Sequence, residues 1–293
     1  MSSTETWTIK RLLEWTTDYL QQNGSDSSRL DAEVLLAETL DCQRIELYTA
    51  YDQIPAEEQL GVFRGWIRKR AEGVPVAYLV GHREFYSLSF QVNENVLIPR
   101  PETELLVTQA IDFLSGRDSD SSMVCDVGTG SGCIAVAIVK NNELARVTGA
   151  EISPEAIEVA QRNIELHNVG DRVEVVESDL LSGVDSPEQF DLIVSNPPYI
   201  GLSEKSDLAR DVVDHEPHLA LFSGQDGTDA ITALVEQASN RLKPGGKLMI
   251  EISPVIAQAA KGIAEGHNRF GNVELINDLS KHPRVLSATL DPS

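Results

Sequence analysis

Lysine is rare in this chain. Lysine and arginine total 24, only eight of them lysine, against 46 acidic residues, for a formal net charge of −22. A free-standing binder of naked nucleic acid is disfavoured, because neutralising phosphates needs cations. A surface so acidic and poor in lysine fits a salty habitat or a basic partner equally well. Cysteine is scarcer still, with only Cys42, Cys125 and Cys133. The odd number and wide spacing argue against a disulfide framework and a zinc site, and fit a reducing cytosol. Long apolar runs are missing too. The longest, Cys133 to Val139, falls far short of the ~20 residues that span a bilayer. The opening MSSTETWTIKRLLEW lacks the charged-then-apolar layout of a signal peptide. The expectation is a soluble cytoplasmic protein with no membrane association. Nothing resembles a coiled coil, so a monomer is expected. No metal site is expected either, since Pro217 breaks the helix that would align His215 with His218.

What the chain does have is enough apolar material for a packed core. Hydrophobic residues make up 41% of 293, which suits one large domain or two modest ones. The first ~80 residues carry helical apolar spacing. Trp7, Ile9, Leu12, Leu13, Trp15, Tyr19 and Leu20 share one stripe over residues 6–22, stopped by Asn23-Gly24. Residues 28–40 repeat the pattern. A third helix starts near Pro55 and runs to Gly73, with Val62, Phe63, Trp66 and Ile67 facing inward. Beside them Arg64, Arg68, Lys69 and Arg70 form a basic row, either a solvated helix face or a partner contact.

The period changes after Pro75. Residues 83–86 and 88–92 read as a hairpin, although no Gly or Asn marks its turn. Residues 102–114 form an amphipathic helix. From Met123 onward strands and helices alternate, with strands at 123–127, 147–151, 173–178, 190–195, 247–252, 273–277 and 285–290. Continuous apolar strands alternating with helices imply a mostly parallel, doubly wound α/β sheet covered on both faces. Residues 73–100 and the Ser/Asp-rich 115–122 read as connecting stretches.

Three strand tips converge chemically. Asp126-Val127 leads into Gly128-Thr129-Gly130-Ser131-Gly132, where glycines allow a sharp turn and close approach to a ligand. A dinucleotide fold would want Gly at the position of Cys133. The pattern suits a nucleoside cofactor without a pyrophosphate. Glu151, at the tip of the second strand, is placed to accept from ribose hydroxyls. Asp179, after the third, accepts from an adenine amino group or caps a helix. Together these tips read as an S-adenosylmethionine site. The fourth strand runs into Asn196-Pro197-Pro198-Tyr199. The prolines fix the backbone, and the Pro197 carbonyl is left free beside the Asn196 side-chain carbonyl. Two adjacent acceptors match an –NH2 group with two donors. Tyr199 supplies a flat wall. An amide nitrogen is a poor nucleophile, so holding both its hydrogens aims it at an already activated methyl group.

Here the sequence resembles the HemK-type (PrmC) protein-(glutamine-N5) methyltransferases. Besides the glycine loop and NPPY, the likeness rests on Gly73–Gly81 with Arg83-Glu84-Phe85, and on Leu97-Ile98-Pro99-Arg100-Pro101-Glu102-Thr103-Glu104. It rests also on Glu216-Pro217 with Ala220-Leu221, and on Leu242-Lys243-Pro244-Gly245-Gly246 with Glu251. The resemblance implies a Rossmann-like methyltransferase domain over 101–293, a helical substrate-docking domain over 1–82 and a β-hairpin linker over 83–100. It implies cofactor contacts from Gly128, Thr129, Gly130, Ser131, Gly132, Glu151, Asp179, Leu180 and Asn196. Asn196, Pro197, Pro198 and Tyr199 would hold the glutamine of the Gly-Gly-Gln motif of class-1 peptide-chain release factors. Arg100 and Glu102 would border the pocket or pair with each other. The chain departs from the family pattern at Glu151, where Asp is usual, and at Leu180, Ser253 and Lys281. The alternative reading is an exocyclic-amine methyltransferase acting on adenine or guanine of DNA or RNA, which NPPY serves by the same two-acceptor logic but which must also hold phosphates.

Overall fold

The computed structural model describes residues 6–117, 120–185 and 189–292. The expected connection 115–122 falls partly outside them. The chain divides into two compact units. One takes the chain up to Gly81 together with Ala209–His215, and the other takes His82–Leu208 and Glu216 onward.

The smaller unit is helical. α1 (Ile9–Gln22) opens on Thr8, whose hydroxyl oxygen accepts from the Arg11 amide, the usual role of a threonine N-cap. Ile9, Leu12, Leu13, Thr16 and Leu20 form its buried face. α2 (Ser28–Thr39), α3 (Arg44–Thr49), α4 (Glu57–Ala71) and α5 (Val76–Val80) complete the helical run. Leu13, Leu20, Leu35, Leu36, Leu47 and Phe63 are fully buried at its centre. Each such side chain contributes ~1.5–3 kcal/mol. On α4 the buried stripe is Leu60, Phe63 and Ile67, and Val62 is exposed rather than inward. It sits one residue, ~100° of helix, off that stripe. The basic row is also not one solvated face. Arg64 pairs with Glu57, whereas the half-buried Arg70 pairs with the buried Asp31 at 2.7 Å. α3 and α5, at six and five residues, are too short to show a period.

The larger unit begins with the hairpin β1 (His82–Phe85) and β2 (Leu88–Gln91), paired Phe85 to Leu88. Its two turn residues, Tyr86 and Ser87, both take left-handed backbone, at φ 51° and 59°. Such turns normally use Gly or Asn. Here α6 (Thr103–Ser115) holds the strained turn, because the Tyr86 amide donates to Glu104 at 2.9 Å.

The sheet contains β3 (Ser122–Val127), β4 (Ala145–Glu151), β5 (Val173–Glu177), β6 (Phe190–Ser195), β7 (Leu242–Glu251), β8 (Phe270–Asn277) and β9 (Pro283–Leu290). Their spatial order is β5-β4-β3-β6-β7-β9-β8. The first five run parallel, and β9 lies antiparallel between β7 and β8. α7 (Cys133–Asn141), α8 (Pro154–Leu166), α11 (Asp229–Ser239) and α12 (Ala257–Gly266) cover the faces; α10 (His218–Leu221) is a single turn after Pro217, and the six-residue α9 (Arg210–His215) belongs to the smaller unit. β7 starts earlier than the apolar run indicates. Leu242 already pairs with Phe190, and an irregularity between Phe190 and Leu192 absorbs Pro244-Gly245.

The strand order reverses beside β3. The chain works outward through β4 and β5, then returns to β6 on β3's other side. Open α/β sheets bind ligands at such a switch point, beyond the carboxyl ends of the strands. Val127 pairs with Ser195, and the Ser195 hydroxyl donates to the Val127 carbonyl at 2.7 Å. The glycine loop and the NPPY segment therefore leave the sheet side by side. Asn163 of α8 braces this end from behind. Its buried amide exchanges two hydrogen bonds with the Gln91 backbone and donates to the Ser131 carbonyl at 2.8 Å.

Candidate active site

The loop after β3 needs its glycines. Gly128, Gly130 and Gly132 have φ of 70°, 55° and 78°, a region that costs other residues strain. A Cβ at Gly128 would point into open space, the space a ligand would take, and one at Gly132 would meet Ala160 at an ordinary contact distance of 3.5 Å, so at both it is the positive φ that calls for glycine. The loop is tied across the sheet, since the Gly128 and Thr129 amides donate to the Ala150 carbonyl at 2.8 and 3.2 Å. Gly149 makes room for this, because a Cβ there would lie 3.1 Å from the Thr129 side chain. The Thr129 hydroxyl donates to Asp126 at 2.6 Å.

Asp126 is fully buried. Burial pushes its carboxyl up to about 7 from an ordinary 3.8, against the pull of the Thr129 hydroxyl and the Ala135 amide, and the negative charge of Glu151 adds to the push. A carboxyl whose pKa is raised by folding stabilises the fold fully below its unfolded pKa, and that contribution is lost as pH rises through the folded value. The gap of about three units corresponds to about 4 kcal/mol. The expected outcome is that wild-type stability toward urea falls between pH 4 and pH 7 more steeply than that of Asp126→Asn. Equal slopes would show that Asp126 is not the group responsible.

Glu151 lies at the tip of β4 with its carboxylate turned onto backbone amides. It accepts from Gly130 at 2.9 Å, Ile152 at 2.9 Å and Ser153 at 3.0 Å. A carboxylate held by three N–H groups is fixed in place and keeps about one of its four lone-pair sites for a further donor. Beyond β5, Asp179 is exposed and Leu180 adopts left-handed backbone at φ 51°. A tight turn follows, not a helix. The Ser178 hydroxyl closes it by donating to the Leu180 carbonyl and accepting from the Gly183 amide.

These tips enclose a cavity of about 410 Å³, within the ~300–1,000 Å³ usual for small-molecule sites. Of the residues singled out in the sequence, Gly128, Thr129, Gly130, Ser131, Glu151, Asp179, Leu180, Asn196, Pro198 and Arg100 line it. Gly132, Pro197, Tyr199 and Glu102 are not among its lining residues. Gly132 caps α7, and Glu102 is exposed. Arg100 pairs not with Glu102 but with the buried Glu216, at 2.5 Å. That partner lies 116 residues away, beyond any local reading. Thr103 and Pro217, from the family-like stretches, also line the cavity, as do Ile134, Ile152 and Leu219, which carry no motif that marks them.

The NPPY segment is held on both sides. The Asn196 amide donates to the Thr103 hydroxyl oxygen at 3.2 Å, which leaves its carbonyl as the free acceptor in a residue that lines the cavity. The Tyr199 hydroxyl donates to Glu251 at 3.4 Å. Burial pushes the Glu251 carboxyl up to about 7, with Thr103 and Tyr199 pulling it down and Glu102 adding to the rise. Burial likewise pushes the Tyr199 phenol up, so it stays protonated. After Tyr199, the chain zips onto the 221–224 segment through bonds between Ile200 and both Leu221 and Ser223.

The donor set fits a nucleoside bearing a short amino-acid chain. It offers a fixed carboxylate for hydroxyls, a Cβ-free cradle and an apolar wall at Leu180. Solved structures share the fold. A methyltransferase from Pyrococcus furiosus aligns with TM-score 0.51 at 19% identity, over 71% of this chain and 91% of that one. A T. thermophilus 16S rRNA N2 methyltransferase, solved with AdoMet and guanosine, aligns with TM-score 0.52 at 19% identity, over 71% of this chain and 49% of that one. Fold and site together define an S-adenosylmethionine-dependent methyltransferase. The PrmC N-terminal domain family matches residues 11–81, and the Methyltransferase small domain family matches residues 103–224. A release factor glutamine methyltransferase of Rhodopirellula baltica is 52% identical over 283 residues, 96% of each chain. Its namesake in Chlorobaculum tepidum is 40% identical over 299 residues, 98% of this chain and 99% of the other. The chain belongs to the release factor glutamine methyltransferase family.

Proposed function

We propose that this chain transfers a methyl group from S-adenosylmethionine to the side-chain amide nitrogen of the glutamine in the Gly-Gly-Gln motif of class-1 release factors. The observation that carries the chemistry is the Asn196 side chain, fixed through Thr103 so that its carbonyl remains an acceptor beside the glycine loop. Bound S-adenosylmethionine supplies a methyl group already activated by a sulfonium. The rest is done by the chain's own residues. Gly128–Gly132 and Leu180 seat the nucleoside, and Glu151 accepts from ribose hydroxyls. Asn196 and the Pro197 backbone carbonyl take the two hydrogens of the substrate amide and so aim its nitrogen. Pro198 and Tyr199 keep this edge rigid, and Arg100, anchored by Glu216, borders the substrate side. The likeness of the curated relatives over the full chain favours the glutamine substrate over a nucleic-acid base. A net charge of −22 also speaks against stable nucleic-acid binding. In this reading the protein is a cytoplasmic monomer, residues 1–82 dock the release factor, 83–100 connect, and 101–293 carry catalysis.

The test is methyl transfer from labelled cofactor to a release factor and to its Gln→Ala motif variant. Label on the intact factor alone supports the reading. Label on RNA or DNA, and none on the factor, overturns it. A second expected outcome concerns the cofactor. Glu151→Ala removes a charged acceptor and frees three loop amides, and a hydrogen bond to a charged group contributes about 1.5–3 kcal/mol. S-adenosylmethionine affinity measured by calorimetry should drop about 10- to 100-fold. An unchanged affinity would remove Glu151 from the site.

A further inference from the structure

Where the chain leaves NPPY, a second stretch of backbone lies directly on it. The two are joined by three hydrogen bonds. The Ile200 amide donates to Leu221 at 3.0 Å, the Ser223 amide to Ile200 at 3.0 Å and the Leu202 amide to Gly224 at 3.1 Å. The second stretch then turns at Gly224 and Gly227, both left-handed at φ 65° and 77°. This lays Gly227 against the Tyr199 carbonyl. A Cβ at Gly227 would run into that oxygen and stand 3.0 Å from the carbonyl carbon. From the other side, a Cβ at Gly201 would stand 2.5 Å from the Gln225 carbonyl oxygen. These neighbours are backbone, so they cannot swing aside as the end of a side chain would.

The contact falls where displacement matters. Tyr199 closes a segment in which Pro197 and Pro198 have fixed φ. A push on the Tyr199 carbonyl is therefore passed back toward the Pro197 carbonyl and Asn196. The other end of Tyr199 is tied to Glu251 at 3.4 Å. Should the second stretch yield instead, the cavity wall moves with it. Leu219, Ala220 and Ala230 line that wall, and the Ala230 amide donates to the Ser223 hydroxyl oxygen at 2.8 Å. Either shift reshapes the side of the cavity that receives the substrate amide, and a misplacement of about 1 Å can cost about 10²-fold in rate.

We infer that Gly201 and Gly227 are positioning residues, whose missing side chains let the 221–227 backbone fix the acceptor edge formed by Asn196 and the Pro197 carbonyl. The inference rests on the role given to that edge under the proposed function. Neither glycine is among the residues that line the cavity. They act on the substrate amide through the backbone of NPPY.

Three alanine variants of the full chain separate backbone strain from contact. Gly227→Ala suffers both. Gly201→Ala suffers the contact alone, because its φ is −70°. Gly245→Ala suffers the strain alone. Its φ is 75°, a Cβ there has nothing within 4 Å, and it lies near the start of β7, away from the strand tips. With a release factor as substrate, Gly201→Ala and Gly227→Ala should each lower kcat by about 10- to 100-fold. Their S-adenosylmethionine Kd, measured by calorimetry, should change less than about threefold. Gly245→Ala should lower Tm and keep the wild-type kcat. If Gly227→Ala fails to fold, Gly201→Ala carries the test, since it adds no left-handed strain. A smaller kcat loss in Gly201→Ala would overturn the inference. So would an equal loss in Gly245→Ala, or losses matched by falls in cofactor affinity. Asn196→Ala run in parallel separates the two readings. If it methylates at the wild-type rate, the acceptor edge has no role and both fail. If it is slow while Gly201→Ala and Gly227→Ala keep the wild-type rate, only the positioning inference fails.

Discussion

Asn196→Ala is expected to slow methyl transfer by about 10²- to 10³-fold, the loss seen when an oriented polar group is removed from a transition state. The argument starts from the weakness of the nucleophile. An amide nitrogen shares its lone pair with the carbonyl, so the site gains rate by orientation more than by basicity. Asn196 leaves β6 next to the glycine loop because Ser195 pairs with Val127, and its amide is held by Thr103. Alanine removes the acceptor and leaves the loop intact. The loss should therefore fall on kcat, with cofactor affinity changed less than about tenfold. Asn196→Asp, which keeps an oxygen but cannot donate to Thr103, should lie between wild type and alanine. Single-turnover transfer measured beside cofactor titration decides the matter. A variant that turns over at more than half the wild-type rate would remove Asn196 from catalysis.

Asp191→Ala is expected to unseat the fold and spare the chemistry. Asp191 lies at the start of β6, opposite the active end. Its carboxylate, 3% exposed, accepts from Arg117 at 2.7 Å, Lys243 at 2.9 Å and the Met123 amide at 2.8 Å. One side chain thus joins the chain before β3, β3 itself and β7. Breaking a buried pair usually costs ~3–5 kcal/mol because a charge is left unpaired. Here Arg117 and Lys243 are 27% and 37% exposed and can return to water, so the lower end of that range applies. Tm should drop by roughly 5–10 °C. Asp191→Asn, which still accepts from Met123, should lose less. The kcat of folded Asp191→Ala should match wild type. A fall in kcat without a fall in Tm would contradict this division.

The features legible in the sequence are those written in neighbouring residues. The βα alternation, the glycine loop and NPPY each occupy one short stretch, and each strand tip falls next to its motif. The mostly parallel sheet follows from the same periodicity. The supporting contacts were hidden because they join residues far apart in the chain. Asn163 meets Gln91 across 72 positions, Asn196 meets Thr103 across 93, and Arg100 finds Glu216 across 116. Glu251 stood out only as part of a family-like stretch, and its burial behind Tyr199 depends on where β7 ends. The hairpin at Tyr86-Ser87 had no turn residue to announce it, because its strain is held by Glu104 from another element. Helices as short as α9 and α10, at six and four residues, leave no period to detect.

The place of β9 bears on how the protein is made. β9 is inserted between β7 and β8, which precede it in the chain. While a ribosome is still short of Pro283, β7 has a bare margin and β8 has no neighbour at all. An uncovered strand margin is a template for pairing with another chain. A truncated product ending before Pro283 should therefore be lost to clumping or proteolysis, even though it contains every residue of the glycine loop and of NPPY.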